Sequence, residues 1–216
     1  MVGFERQHSH GPLPASAHLE WPFLSDAHRH LAQAFHAWLG AAGSKSPTDW
    51  AAALRAAGWP GLATDHRGRA VLAEALAAHH GTAWPLAQAL WGPAALLGLA
   101  RRIAREWREA AVAQVDGADP AELARVGRLE AALEAAALGV YRAAWQADRQ
   151  ASDASIDAIA AELATLMLDA LFTHLETVLG TLASPGTTAW APLWQEARQR
   201  AQEAAERVGR WRLQHP

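Results

Sequence analysis

The stretch SPTDWAAALRAAGWPG at residues 46–61 carries a helix with both of its ends written into it. Ser46 offers a side-chain oxygen to the first-turn N–H groups, and Asp49 stands three residues on, at capping-box spacing. Pro47 suits the first turn, where its missing N–H would have had no helical partner anyway. Alanine and leucine fill the middle, Gly58 supplies a stop, and Pro60 follows it. The stretch reads as a short helix with a defined start and finish.

The same punctuation extends outward in both directions. Before it, a helix is expected to start after Ser25 or Asp26, with Leu24, Ala27, Leu31, Ala34, Phe35 and Trp38 on one apolar face, and to end at Gly40 and Gly43. After it, residues 67–80 form a third helix that buries Val71, Leu72, Ala75 and Leu76 and is closed by Gly81. Trp84-Pro85 opens a fourth, and Gly92-Pro93 must break or kink it. Leu96, Leu97, Ala100, Ile103, Ala104, Trp107 and Ala111 then keep helical spacing up to Asp116-Gly117. Asp119-Pro120 starts a long helix with the stripe Leu123, Val126, Leu129, Leu133, Ala137, Val140, Ala144 and Trp145. A second long helix over 153–180 runs through Ile156, Ile159, Leu163, Leu166, Ala170, Leu171, His174 and Val178. Beyond a loop at 184–188, residues from Pro192 to about Trp211 are amphipathic again. No stretch alternates with period two, so the fold class is all-α, a helical bundle. Residues 1–22 form an irregular segment, 23–92 an N-terminal helical part and 93–216 a C-terminal bundle, the two parts meeting near Trp91 to Leu99.

Composition narrows the function. Apolar residues make up 51% of the 216 and charged residues 19%, which is the balance of a globular chain. A net charge of -3, with one lysine and scattered arginines, provides no polybasic patch, so no nucleic acid is expected as partner. The absence of cysteine excludes disulfides, thiolate metal sites and cysteine nucleophiles. The N-terminal residues contain Glu5 early and no apolar h-region, so no secretory signal is read there and a cytoplasmic location is expected. Residues 81–100 are uncharged, but alanine, Gln88, two prolines and two internal glycines suit buried helices better than a membrane span.

Candidate chemistry is thin. His79 and His80 are adjacent and point apart on a helix, His28 and His30 are two apart, and the repeated Glu-x-x-His spacing of a bundle-type metal site does not occur, so no metal site is expected. His174 reads as a hydrogen-bonded core histidine. Neither a Gly-x-Ser-x-Gly elbow, a phosphate loop nor a Gly-x-Gly-x-x-Gly turn occurs. Trp190 and Trp194 lie four apart on one helical edge, a spacing that serves core packing and also covers a flat ring.

Taken in order, the helices resemble those of the acyl-CoA dehydrogenase superfamily over about residues 23–202. FLSDAHRHLAQAFHAWLG followed by DWAAALRAAGWPGLA is similar to that family's first two helices, and RAVLAEALAAHHGTAWPLAQALWGPA to the next pair. VGRLEAALEAAALGVYRAAWQAD, IAAELATLMLDALFTHLETVLGT and PLWQEARQ resemble its C-terminal helices and closing element. The resemblance implies a flavoprotein of the FAD-linked CH–CH oxidoreductases, with FAD contacts at Gly180, Trp190, Trp194 and Arg198 and acyl-CoA as substrate. The departures are specific. Nothing strand-like lies between Trp91 and Ile103, where the family inserts a β-domain. No Arg-Gln-Phe-Gly follows Trp107, only Gly180 remains of a Gly-Gly-x-Gly turn, and Gln195-Glu196 stands where the family has Arg-Asp. No Glu lies between Leu179 and Trp194, so no catalytic residue is assigned; Glu176, Glu196 and Glu203 are the nearest carboxylates. The implied protein is a degenerate or partner-dependent relative, a homo-oligomer or the companion of a full-length acyl-CoA dehydrogenase-like subunit. The alternative is a non-catalytic helical subunit, a pseudoenzyme that binds a partner protein.

Overall fold

In the computed structural model Ser46 accepts the Asp49 N–H at 3.2 Å and opens α2 (Pro47–Ala56), which ends at Ala57. Gly58 then enters the left-handed region at φ 74°, where a side chain would be strained, and turns the chain into the one-turn α3 (Trp59–Leu62). The structure describes residues 21–43, 45–80, 83–114, 120–149 and 187–214, with positions 162, 164–165, 168–173, 175 and 177 between the last two. Helix accounts for 90% of the described residues and no strand occurs among them, so the all-α class is observed.

The other helices are α1 (Asp26–Ala42), α4 (His66–His79), α5 (Trp84–Gln114), α6 (Pro120–Arg149) and α7 (Thr187–Gln214). Each described position between 162 and 177 is also helical. α5 is bent where Gly92-Pro93 demands it: Trp91 leaves helical geometry at φ -163° and ψ 107°. A proline ring pushes against the preceding turn and denies the helix a donor, which accounts for the break.

Four local readings are corrected. α1 buries His28, Ala32, Phe35 and Leu39, so its inward face is rotated by about one residue from the expected one; Ala27 and Ala34 are exposed. Gly40 lies inside α1, and Gly43 at φ 66° ends it. Among the described positions between 162 and 177 the buried residues are Ala164, Leu168, Leu171, Phe172 and Leu175, so Leu171 faces inward as expected while Ala170 is exposed. Alanines satisfy an apolar pattern on any face, and the bulky side chains decide which face turns inward. Finally, α7 begins at Thr187, five residues ahead of Pro192. Gly81, Asp119, Ile156, Ile159, Leu163, Leu166, His174, Val178 and the loop up to Gly186 lie outside the described residues.

α4 sits at the centre, packed along α5 and also touching α1 and α6. It is buried on nearly every side, from Ala70 through Ala77. Small residues bring α4 and α5 together: a Cβ added to Gly98 would run into the Glu74 carbonyl and lie 3.0 Å from the Ala77 methyl. One apolar cluster joins Phe35, Trp50, Leu72, Leu97, Leu133 and Phe172, and so includes residues on both sides of position 92. Under α1 to α3 an aromatic group fills the gaps, with Phe35 against Trp59 at 4.9 Å and Trp38 against Trp50 at 5.9 Å.

A buried polar chain ties the three central helices. The Tyr141 hydroxyl of α6 donates to Glu74 of α4 at 2.6 Å, and Glu74 faces Arg101 of α5 at 2.7 Å. Arg101 also reaches Glu134 at 3.3 Å. Burial, together with the Glu74 carboxylate, pushes the Tyr141 phenol well above its ordinary range, so it stays a donor. Arg102 and Arg105 close the end of α4 by donating to the carbonyls of His79 and Ala78 at 3.1 and 3.0 Å.

Candidate functional site

Two clefts hold polar groups in arrangements that packing alone does not require. The first, of about 520 Å³, lies between the bend of α5, positions 162–165 and α7. The α5 wall is Gln88, Gly92, Pro93 and Leu96, and its shape follows from the bend at Trp91. Across it, Glu196, Gln199, Arg200, Glu203 and Arg207 stand three and four residues apart along one face of α7. Glu162 and Thr165 complete the lining.

Most of the charges in this cleft are paired. Arg200 donates to Glu196 at 2.9 Å, the Trp84 indole donates to the other Glu196 oxygen at 3.2 Å, and Gln199 donates to Glu203 at 3.0 Å. Arg207 donates to Oε1 of Glu162 and lies 3.8 Å from Glu203. Two polar atoms are left over: Oε2 of Glu162 and Nε2 of Gln88 are buried and have no hydrogen-bond partner among the described residues. One is an acceptor and the other a donor, and buried polar atoms of either kind ordinarily find partners.

The second cleft, of about 560 Å³, lies where the N-termini of α1 and α4 meet, with Trp59 and Leu62 of α3 on its wall. Ser25 is the N-cap of α1, and Asp65 is the N-cap of α4, accepting the Gly68 N–H at 2.8 Å. His28 occupies the third position of α1, where a capping box would usually have Glu or Gln, and its Nδ1 lies 3.1 Å from the Ser25 N–H. Since Nδ1 accepts from a backbone N–H, the ring proton is on Nε2, which donates to Asp65 at 2.9 Å. The Ser25 hydroxyl stands 2.7 Å from the same Nδ1 and shares that nitrogen's single lone pair with the Ser25 N–H. Burial works to raise the Asp65 carboxyl, but the Gly68 N–H, the His28 ring and the Arg67 charge outweigh it and hold it below the usual carboxylate value. Arg67 itself is anchored to Asp148 of α6 at 2.5 Å and to the Phe23 carbonyl at 2.9 Å.

A histidine pair sits at the other end of α4. His36 and His79 share a hydrogen bond of 2.9 Å, and His80 lies over Trp50 at 4.3 Å between ring centres. Burial, then the neighbouring His36 and Arg105, depress His79 to about 4. No group of three or more metal-ligating side chains occurs among the described residues. Nor is any described helix long and apolar enough to cross a membrane.

The contacts expected for FAD are only partly placed. Gly180 lies outside the described residues, as do the side chains of Trp190 and Trp194, though both tryptophans belong to α7. Arg198 is exposed on α7 and does not line the first cleft. It follows Glu196 by about 200° around the helix. Glu196 and Glu203, named from sequence as stray carboxylates, do line it, whereas Glu176 is outside the described side chains. Gln88, Glu162 and the Ser25–His28–Asp65 chain carried no signal in sequence spacing, because their members are brought together by packing. Compared with protein-family models, with curated proteins and with solved structures, the chain finds no match.

Proposed function

We propose that this protein is a helical ligand-binding protein, and that the cleft between α5 and α7 takes a small polar molecule bearing a protonated amine and a hydrogen-bond acceptor. The observation that carries this reading is the pair of buried, unpartnered atoms in one lining, Glu162 Oε2 and Gln88 Nε2. An ammonium group meets the first with a charge-assisted bond, and a carbonyl or hydroxyl oxygen meets the second. The cleft volume suits a small organic molecule. With three carboxylates against two arginines, the lining keeps a negative balance that favours a cation. Large apolar side chains give less support to a docking face: Leu62, Leu138 and Leu213, the exposed ones among the described residues, lie on three different helices.

Isothermal titration with small primary amines that also carry a carbonyl or hydroxyl tests this. The wild-type protein is expected to bind a subset of them, and Glu162→Gln to weaken that binding roughly 10- to 100-fold, the worth of one charged hydrogen bond. Equal binding by wild type and the double variant Glu162→Gln, Gln88→Leu would overturn the proposal.

The second reading is the acyl-CoA dehydrogenase-like one, with FAD beside Trp190 and Trp194 and catalysis either lost or dependent on a partner subunit. Its support is the helix order read from sequence, together with the position of both tryptophans on α7 within two turns of Glu196. It expects flavin absorbance that stays with the protein through desalting after FAD is added. A colourless protein would leave, from this reading, only the non-catalytic subunit that binds a partner.

A further inference from the structure

The second cleft holds a chain of hydrogen bonds that capping explains only in part. Ser25 and Asp65 cap α1 and α4, and any good cap residue would do so. What capping does not call for is a histidine that joins the two caps through both of its ring nitrogens. The His28 N–H faces the Ser25 side chain in the capping box and also reaches the Ser25 carbonyl at 3.0 Å, and the Ser25 hydroxyl stands 2.7 Å from the His28 ring. The ring is 8% exposed and is held on its far side by Asp65 at 2.9 Å, whereas Ser25 is open to the cleft. A hydroxyl, an imidazole in the tautomer that accepts its proton, and a carboxylate on the opposite nitrogen are the parts of an activated serine nucleophile, recognised by geometry and not by order in the chain. The same cleft contains Trp59, 8% exposed, whose indole N–H is buried without a partner among the described residues.

We propose that Ser25, His28 and Asp65 form an acyl-transfer site for small carboxylic esters. The Ser25 oxygen bonds to the ester carbonyl carbon while its proton passes to His28 Nδ1, whose hydrogen bond from the Ser25 N–H is given up in that step. Asp65 holds the ring through Nε2 and stabilises the charge the ring acquires. The ester C–O bond then breaks, the proton moves from His28 to the departing alkoxide, and an alcohol leaves with Ser25 acylated. Water, deprotonated by the same nitrogen, attacks the acyl carbon; the carboxylic acid leaves and the proton returns to Ser25. No other reactant is needed. Leu31 and Trp59 supply the apolar wall for the acyl chain. Ser25 and His28 are the catalytic residues, and Asp65 is a positioning residue.

The test uses the full chain with p-nitrophenyl acetate, followed by intact-mass analysis and peptide mapping. Wild type is expected to release p-nitrophenolate in a burst of about one equivalent, with the acetyl group on Ser25. Three variants keep the caps and remove the chemistry. Ser25→Asn still caps α1, His28→Gln still completes a capping box, and Asp65→Asn still caps α4. Ser25→Asn abolishes the acetylation, and His28→Gln slows it by roughly 10²-fold or more. Asp65→Asn lowers the maximal acylation rate and leaves the half-saturating ester concentration in place, a split that a merely structural role would not produce. Thermal midpoints close to wild type show that the folds persist. Wild-type acetylation that is absent, or that maps to residues other than Ser25 and survives Ser25→Asn, would sink the proposal. Neither result bears on the amine site, which uses other residues.

Discussion

Gly98 shows how one residue can decide the approach of two helices. Its missing Cβ is what lets α5 rest against the backbone of α4 at Glu74 and against Ala77. Gly98→Ala puts a methyl group where the Glu74 carbonyl already is, and main chain cannot swing aside as a flexible side chain does. The expected cost is about 1–3 kcal/mol, as for other overpacked sites, read as a lower midpoint in urea unfolding with an unchanged slope. The same approach holds Glu74 in register with Arg101 and Tyr141, so a buried carboxylate on an alanine-rich helix is matched with a cation and a hydroxyl. Neither fact is legible locally: Gly98 reads as one more small residue in an alanine-rich helix, and Glu74 as an ordinary solvent-facing carboxylate.

At the scale of elements, helix starts were the most legible feature. Ser25 and Ser46 stand where a helix opens, as read, and Ser46 makes the side-chain bond that capping requires; the Asp65 cap of α4 emerged only with the structure. Ser46→Ala should therefore cost about 1 kcal/mol, seen as a fall in thermal midpoint, while Ser46→Asp should restore most of it. The bend of α5 was equally readable, since proline enforces it regardless of surroundings. Rotation about the helix axis was less so. α1 turns His28 and Leu39 inward and leaves Ala27 and Ala34 exposed, while Trp38 stays partly buried against the core, because the His28–Asp65 bond and the larger side chains outweigh the pattern of alanines.

The whole molecule responds to pH through groups that only its packing perturbs. In the unfolded chain the His79 ring takes a proton near 6.5; in the folded protein it does so near 4. Between those values the unfolded state binds more protons, so stability falls as pH drops from about 6.5 to about 4 and His79 adds no further loss below that. His80 is lowered as well and acts in the same sense. Asp65 works in a separate window: its folded value lies below 3.8, so its contribution is present above 3.8 and is lost as the pH falls further. Urea unfolding at pH 7, 5.5 and 4 is expected to show the decline, and His79→Gln to flatten part of it. An equal decline in wild type and variant would show that the His79 ring is not what is titrating.

The sequence by itself determined the helical class, most helix starts and the break at Gly92-Pro93, because caps, prolines and glycines act within a few residues of one another. It also located Glu196 and Glu203 on an amphipathic helix, without indicating what they face. Tertiary structure alone decided which face of each alanine-rich helix is buried and which polar residues meet. Ser25 and Asp65 are forty residues apart, and Gln88 and Glu162 are still more distant. Side chains so far apart come together only after helices pack, and packing is governed by summed shape and burial, which no short window of sequence contains.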